Sequence, residues 1–181
     1  ARQAGARAVK RQVERGLRTT SRGDTVAYSL FVPQPAEGLP PPPYPAVVLT
    51  HGFARSQGYH LGNARILAER GIVVLTPNMV SLLGGESARA RNVENTADHV
   101  AWLAARSADA GDALAGRVDA ARIGLAGHSA GGAVSFEAAV AAQSRVPVAA
   151  LCLLDGVPWS RTLSRAAELS PPPLASLLSE P

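Results

Sequence analysis

The sequence is almost without lysine: Lys10 is the only one among 181 residues. That excludes a Walker-type phosphate loop, which needs a Gly-Lys pair, because Lys10 sits before Arg11 in a different context. No G-x-G-x-x-G occurs, so a dinucleotide site lacks its fingerprint. Aromatic residues make up 4% of the chain, too few to build base-stacking platforms. Cys152 is the sole cysteine, which rules out an intramolecular disulfide. Set in an apolar run, it reads as a buried core thiol, and the redox compartment stays open. No His/Cys/Asp cluster has metal-ligand spacing, so neither a metal nor a cofactor is expected. No apolar run approaches the roughly 20 residues that a membrane helix needs. No signal-peptide pattern is present and the sequence opens on Ala1, so the N-terminus reads as processed or incomplete and localisation is left open.

Charge is unevenly supplied. The net charge is +4, and nearly all the positive charge is arginine interspersed with acidic residues. Only residues 1–20 form a basic segment (Arg2, Arg7, Lys10, Arg11, Arg15, Arg18), relieved by Glu14. Such a block reads as a solvated tail or helix face, and no nucleic-acid partner is expected. The chain as a whole is 46% hydrophobic, enough for one domain with a substantial core, placed at residues 21–181.

Along that domain the periodicity changes once. Thr25–Val32 alternates and is rich in β-formers, which predicts an early antiparallel strand ending at Pro33. A proline-rich loop follows to Pro45. Continuous apolar runs then alternate with helical spacing. Ala46–Thr50, Gly71–Thr76, Arg122–Ala126 and Val148–Leu154 read as strands covered on both faces. Leu61–Arg70, Ala88–Arg106 and Gly131–Ala142 read as helices, and Leu174–Leu178 resembles a further strand. Strands alternating with helices predict an α/β fold with a mostly parallel sheet, helices on both faces and right-handed crossovers.

Gly127-His128-Ser129-Ala130-Gly131 matches G-x-S-x-G. The pattern is short, but an apolar strand runs straight into it and an Ala-rich helix follows at once, which is the setting the motif requires. The turn is tight enough to strain the serine backbone, and glycines two residues to either side remove Cβ atoms that would clash. The following helix turns its N-terminal N–H groups toward the serine. A Gly-rich βα turn with a capping serine would give the same letters without the chemistry. His51-Gly52-Phe53 follows the Ala46–Thr50 strand directly. An acyl-transfer oxyanion needs two preorganised donors, and the N–H groups of Ala130 and Phe53 are the candidates. Gly52 lets the backbone approach a substrate, and His51 reads as holding the loop by hydrogen bonds rather than as a base.

His51-Gly52-Phe53, the Arg122–Ala126 strand and Gly-His-Ser-Ala-Gly-Gly together resemble the chlorophyllase-like and polyester-hydrolase-like (cutinase-like) branch of the α/β-hydrolases, over roughly Thr25 to Pro181. The resemblance implies a carboxylic-ester hydrolase with Ser129 as nucleophile, a Ser–acid–His triad, no cofactor, and a small or polymeric ester as substrate. The order Ser, acid, His is not completed here. The histidines are His51, His60, His99 and His128, and none follows the elbow. His60 and His99 read as surface residues. The expectation is a chain truncated before its last strands, with the base beyond Pro181 and weak or no activity alone. Asp155, at the end of Val148–Leu154, resembles the acid of the chlorophyllase branch, and it equally suits a cap on the turn before Gly156. Glu180 resembles the residue just before the acid in related sequences. Acyl transfer or amide hydrolysis by the same elbow, and a non-catalytic binding module that kept the elbow, are the alternatives.

Overall fold

The computed structural model describes residues 11–80, 83–142 and 147–156; the predicted strand at Leu174–Leu178 and Glu180 lie outside them. Among the described residues, six strands form one sheet: β1 (Arg11–Thr19), β2 (Thr25–Pro33), β3 (Tyr44–Thr50), β4 (Val73–Pro77), β5 (Val118–His128) and β6 (Ala150–Leu154). Their spatial order is β1-β2-β4-β3-β5-β6. β1 pairs antiparallel with β2, and β2 antiparallel with β4. β4, β3, β5 and β6 run parallel; β4, β3 and the end of β5 are buried as their apolar runs predict, whereas β6, expected to be covered on both faces, is exposed or only partly covered along its length. Three α-helices among the described residues connect them: α1 (Leu61–Ala68), α2 (Gly85–Ala108) and α3 (Ala130–Ala142). This is a mostly parallel α/β sheet of the α/β-hydrolase type.

Side chains of each inner strand alternate between two packed layers, as the period of two dictates. Leu30, Val48, Val73, Leu75, Ile123 and Leu125 join Val93, Val100 and Leu103 of α2 and Val134 and Ala138 of α3 in the larger core. Phe31, Leu49, Val74 and Ala126 face the other way onto Ala64 and Ala68 of α1. Each fully buried aliphatic side chain contributes roughly 1.5–3 kcal/mol relative to exposure. The chain leaves β3 through α1 toward β4 on one side, then returns through α2 to β5 on the other. Successive connections therefore diverge to opposite faces at the carboxyl ends of β3 and β5. On an open parallel sheet such a reversal is the usual place for a ligand.

Three expectations are corrected. Residues 11–19 of the basic segment are neither tail nor helix face. They form β1, and the Arg18 side chain is buried beside His99 of α2, its Nη1 2.6 Å from His99 Nδ1. Trp102 of α2 lies between the guanidiniums of Arg18 and Arg106, at 4.7 and 4.8 Å, and Arg106 reaches Glu14 of β1 at 2.8 Å. Arginine's apolar stem and flat cation let a basic strand dock this way. His60 and His99 are buried, not on the surface, because the 3₁₀ turn Gln57–His60 and the inner face of α2 carry them inward. Cys152 is exposed rather than in the core; β6 alternates between exposed and partly covered residues, and no described element packs over the Cys152 face of that strand.

Candidate active site

β5 ends at His128, Ser129 stands alone in the turn, and α3 starts at Ala130. Ser129 has φ 53°, in the left-handed region, which disfavours a non-glycine residue by the order of 1–3 kcal/mol. The surroundings hold it there. Its N–H donates to Leu154 O at the end of β6 (2.9 Å), and its carbonyl accepts the Ala133 N–H at 3.2 Å. The glycines around it are sterically obligatory. A Cβ on Gly127 would lie 2.3 Å from Gly131 O, and one on Gly131 would lie 2.4 Å from His51 O. Gly132 meets Gly156, where a Cβ would come within 2.8 Å of the facing Cα. So the elbow is wedged between the exits of β3 and β6 with no room for side chains at its glycines.

The loop after β3 lies against this turn. A Cβ on Gly52 would sit 3.4 Å from Ser129 Cβ and 3.0 Å from His128 Nδ1. The two loops thus share one edge of the sheet. Among the described residues, neither the Phe53 N–H nor the Ala130 N–H has a hydrogen-bond partner. Free donors at the N-terminus of a helix and on a neighbouring loop suit developing negative charge. Phe53 itself is exposed.

His51 is buried and both its ring nitrogens are engaged: Nδ1 with Gly52 O at 2.9 Å, Nε2 with the Met79 N–H at 3.0 Å. Burial lowers its pKa, so the neutral ring prevails. His60 is also held down by burial, and its Nδ1 has no partner. His99 is far down α2 in the Arg18–Trp102 cluster, where burial and then the Arg18 charge push its pKa to about 3. His128 is exposed within the elbow. Asp155 follows Leu154 directly, is exposed, and has φ 54°. Its neighbour Gly156 presses against the Ser129 carbonyl, where a Cβ would be 3.2 Å away.

Two supporting residues were not singled out from the sequence. Thr50, fully buried at the end of β3, donates its hydroxyl to Gly131 O at 2.8 Å and lies 2.8 Å from Ser135 Oγ. Ser135 in turn donates to Ala126 O at 3.1 Å. The pair ties β3, β5 and α3 together directly beneath the elbow. The readable signal was a hydroxyl closing an apolar strand and another in a helix whose only other polar side chain is Glu137.

The family model for chlorophyllase matches residues 3–176. The chain belongs to the chlorophyllase family. Among solved structures, this chlorophyllase-family chain is similar to an esterase from Pyrobaculum calidifontis (28% identity, TM-score 0.57, covering 74% of this chain and 40% of that one). It shares its fold with a candidate carboxylesterase from Lactobacillus plantarum (19%, TM-score 0.63, 82% and 61%). A bacterial heroin esterase has the same fold (19%, TM-score 0.57, 80% and 44%). The chain thus spans 40–61% of the length of these three structures. A search of curated proteins finds no match.

Proposed function

We propose that this chain carries the nucleophile and oxyanion donors of a serine-dependent carboxylic-ester hydrolase. The observation that carries the reading is the strained Ser129 backbone at the head of α3, with the unpaired N–H groups of Phe53 and Ala130 beside it. In the proposed reaction Ser129 Oγ attacks the ester carbonyl carbon as its proton passes to a general base. The carbonyl oxygen gains the charge and is held by the two N–H donors. The C–O bond to the alcohol then breaks, the alcohol leaves with the proton, and water releases the acid from the acyl-enzyme. Asp155, at the sheet edge beside the elbow, is proposed as the triad acid. Neither His51, with both ring nitrogens occupied, nor His99, buried behind the sheet, is placed to act as the base.

Serine-directed labelling tests this. An alkyl fluorophosphonate, whose addition to a serine without its base is slow but still helped by the oxyanion donors, is expected on prolonged exposure to add one phosphonyl group to the peptide containing Ser129, and none in the Ser129→Ala variant. Labelling elsewhere, or none under prolonged exposure, overturns the reading in favour of a binding module that retains the elbow.

A further inference from the structure

We propose that His51 is a positioning residue that sets the direction of the Phe53 N–H by gripping the peptide next to it. The proposal rests on the ester-hydrolase reading above. A backbone N–H can only donate, so the His51 nitrogen 3.0 Å from Met79 N must be the unprotonated Nε2. The ring proton is therefore on Nδ1 and is donated to Gly52 O at 2.9 Å. One neutral tautomer satisfies both bonds, and burial of the ring, 4% exposed, favours that neutral form.

The consequence follows from peptide geometry. In a planar trans peptide the carbonyl and the following N–H point in opposite directions. Fixing Gly52 O therefore fixes the Phe53 N–H. A second bond, from Arg55 N–H to Gly52 O at 3.3 Å, closes the same turn, and Ala54 within it is held at φ 54°. The other end of the ring is anchored to Met79, just past β4. His51 thus braces the β3 loop against the β4 exit, and the Phe53 N–H, without a partner among the described residues, belongs to the loop that packs against the elbow. Gly52 provides the closeness; the imidazole provides the orientation.

Two variants divide the ring's bonds. His51→Asn places an amide N–H where Nδ1 stands and keeps the grip on Gly52 O, but loses the Met79 bond. His51→Gln places an acceptor where Nε2 stands and keeps the Met79 bond, but loses the grip. Both are compared with the wild-type chain by thermal melting and by phosphonylation of Ser129, with the maximal rate separated from reagent affinity. The Asn variant is expected within about threefold of wild type in maximal rate. The Gln variant should fall about 10²-fold at little change in affinity, approaching the loss of one oxyanion donor. In parallel, imidazole ¹⁵N spectra should show His51 with its proton on Nδ1 at neutral pH. Equal rates in the Gln variant and wild type, or a proton on Nε2, overturn the proposal while the hydrolase reading stands. Failure of wild-type Ser129 to react at all removes the reading and with it this role.

Discussion

Ser129 and its glycines show how far a single position can be bent by its neighbours. A residue at φ 53° gains from being glycine, so Ser129→Gly is expected to raise stability by up to about 1 kcal/mol while abolishing phosphonylation. Equilibrium urea unfolding measures the first effect and mass spectrometry the second; a destabilised variant would mean that the serine side chain, not the backbone, holds the turn. Gly131 is the opposite case. A Cβ there would meet His51 O at 2.4 Å and Thr50 O at 2.7 Å, both main-chain atoms that cannot rotate away. Gly131→Ala is expected to lower stability by about 1–3 kcal/mol, read as a drop in the urea midpoint at unchanged slope. A variant as stable as wild type would show that the β3 exit yields, and that the two loops are less tightly wedged than the structure has them.

At the scale of elements, the hairpin of β1 and β2 is fastened to α2 by charged groups, and this gives acid sensitivity in two windows. His99 has a folded pKa of about 3, chiefly from burial and then from the Arg18 charge, against about 6.5 when exposed. Between those values the unfolded chain binds a proton that the folded chain does not, so stability falls as pH drops from about 6.5 toward 3. One proton accounts for at most about 1.4 kcal/mol per pH unit. Asp24, buried in the turn after β1, is held at about 2 by hydrogen bonds from Arg91 and then Asn95 of α2. Its folded value lies below the unfolded one, so its contribution is present above about pH 4 and is lost between 4 and 2. His99→Gln retains an acceptor for Arg18 but cannot titrate. Urea unfolding across pH should show the upper window flattened and the lower one intact; an unchanged slope between pH 6 and 4 would take His99 out of this account.

For the whole molecule, the decisive question is where the proton of Ser129 goes. No histidine follows position 128 in the sequence, and the bonds of His51 and the burial of His99 keep both from the serine. Without an imidazole base, a serine hydrolase loses rate by about a millionfold, with a residue of catalysis left by the oxyanion donors. The 181 residues by themselves are therefore expected to hydrolyse p-nitrophenyl esters near background. Ordinary turnover that is lost on His60→Ala or His128→Ala would place the base among the histidines already present.

What the sequence determined by itself is local. Buried strands showed as unbroken apolar runs, helices as a 3.6-residue spacing, and the elbow as G-x-S-x-G, because strand burial, helix amphipathicity and a turn without room for Cβ atoms each constrain consecutive residues. β2 to β5 and all three helices were legible this way. What required the tertiary structure is the meeting of distant segments. The basic residues of β1 look like a solvated tail until α2 supplies Trp102, Asp98 and His99 for Arg18. His99 and His60 look polar enough for the surface until packing carries their backbones inward. Cys152 looks like core until β6 proves to have no described element over its face. The two ends of the His51 ring, Gly52 one residue away and Met79 twenty-eight away, are joined only by the parallel pairing of β3 with β4. Periodicity records which side of an element is buried; it carries nothing about which neighbour buries it.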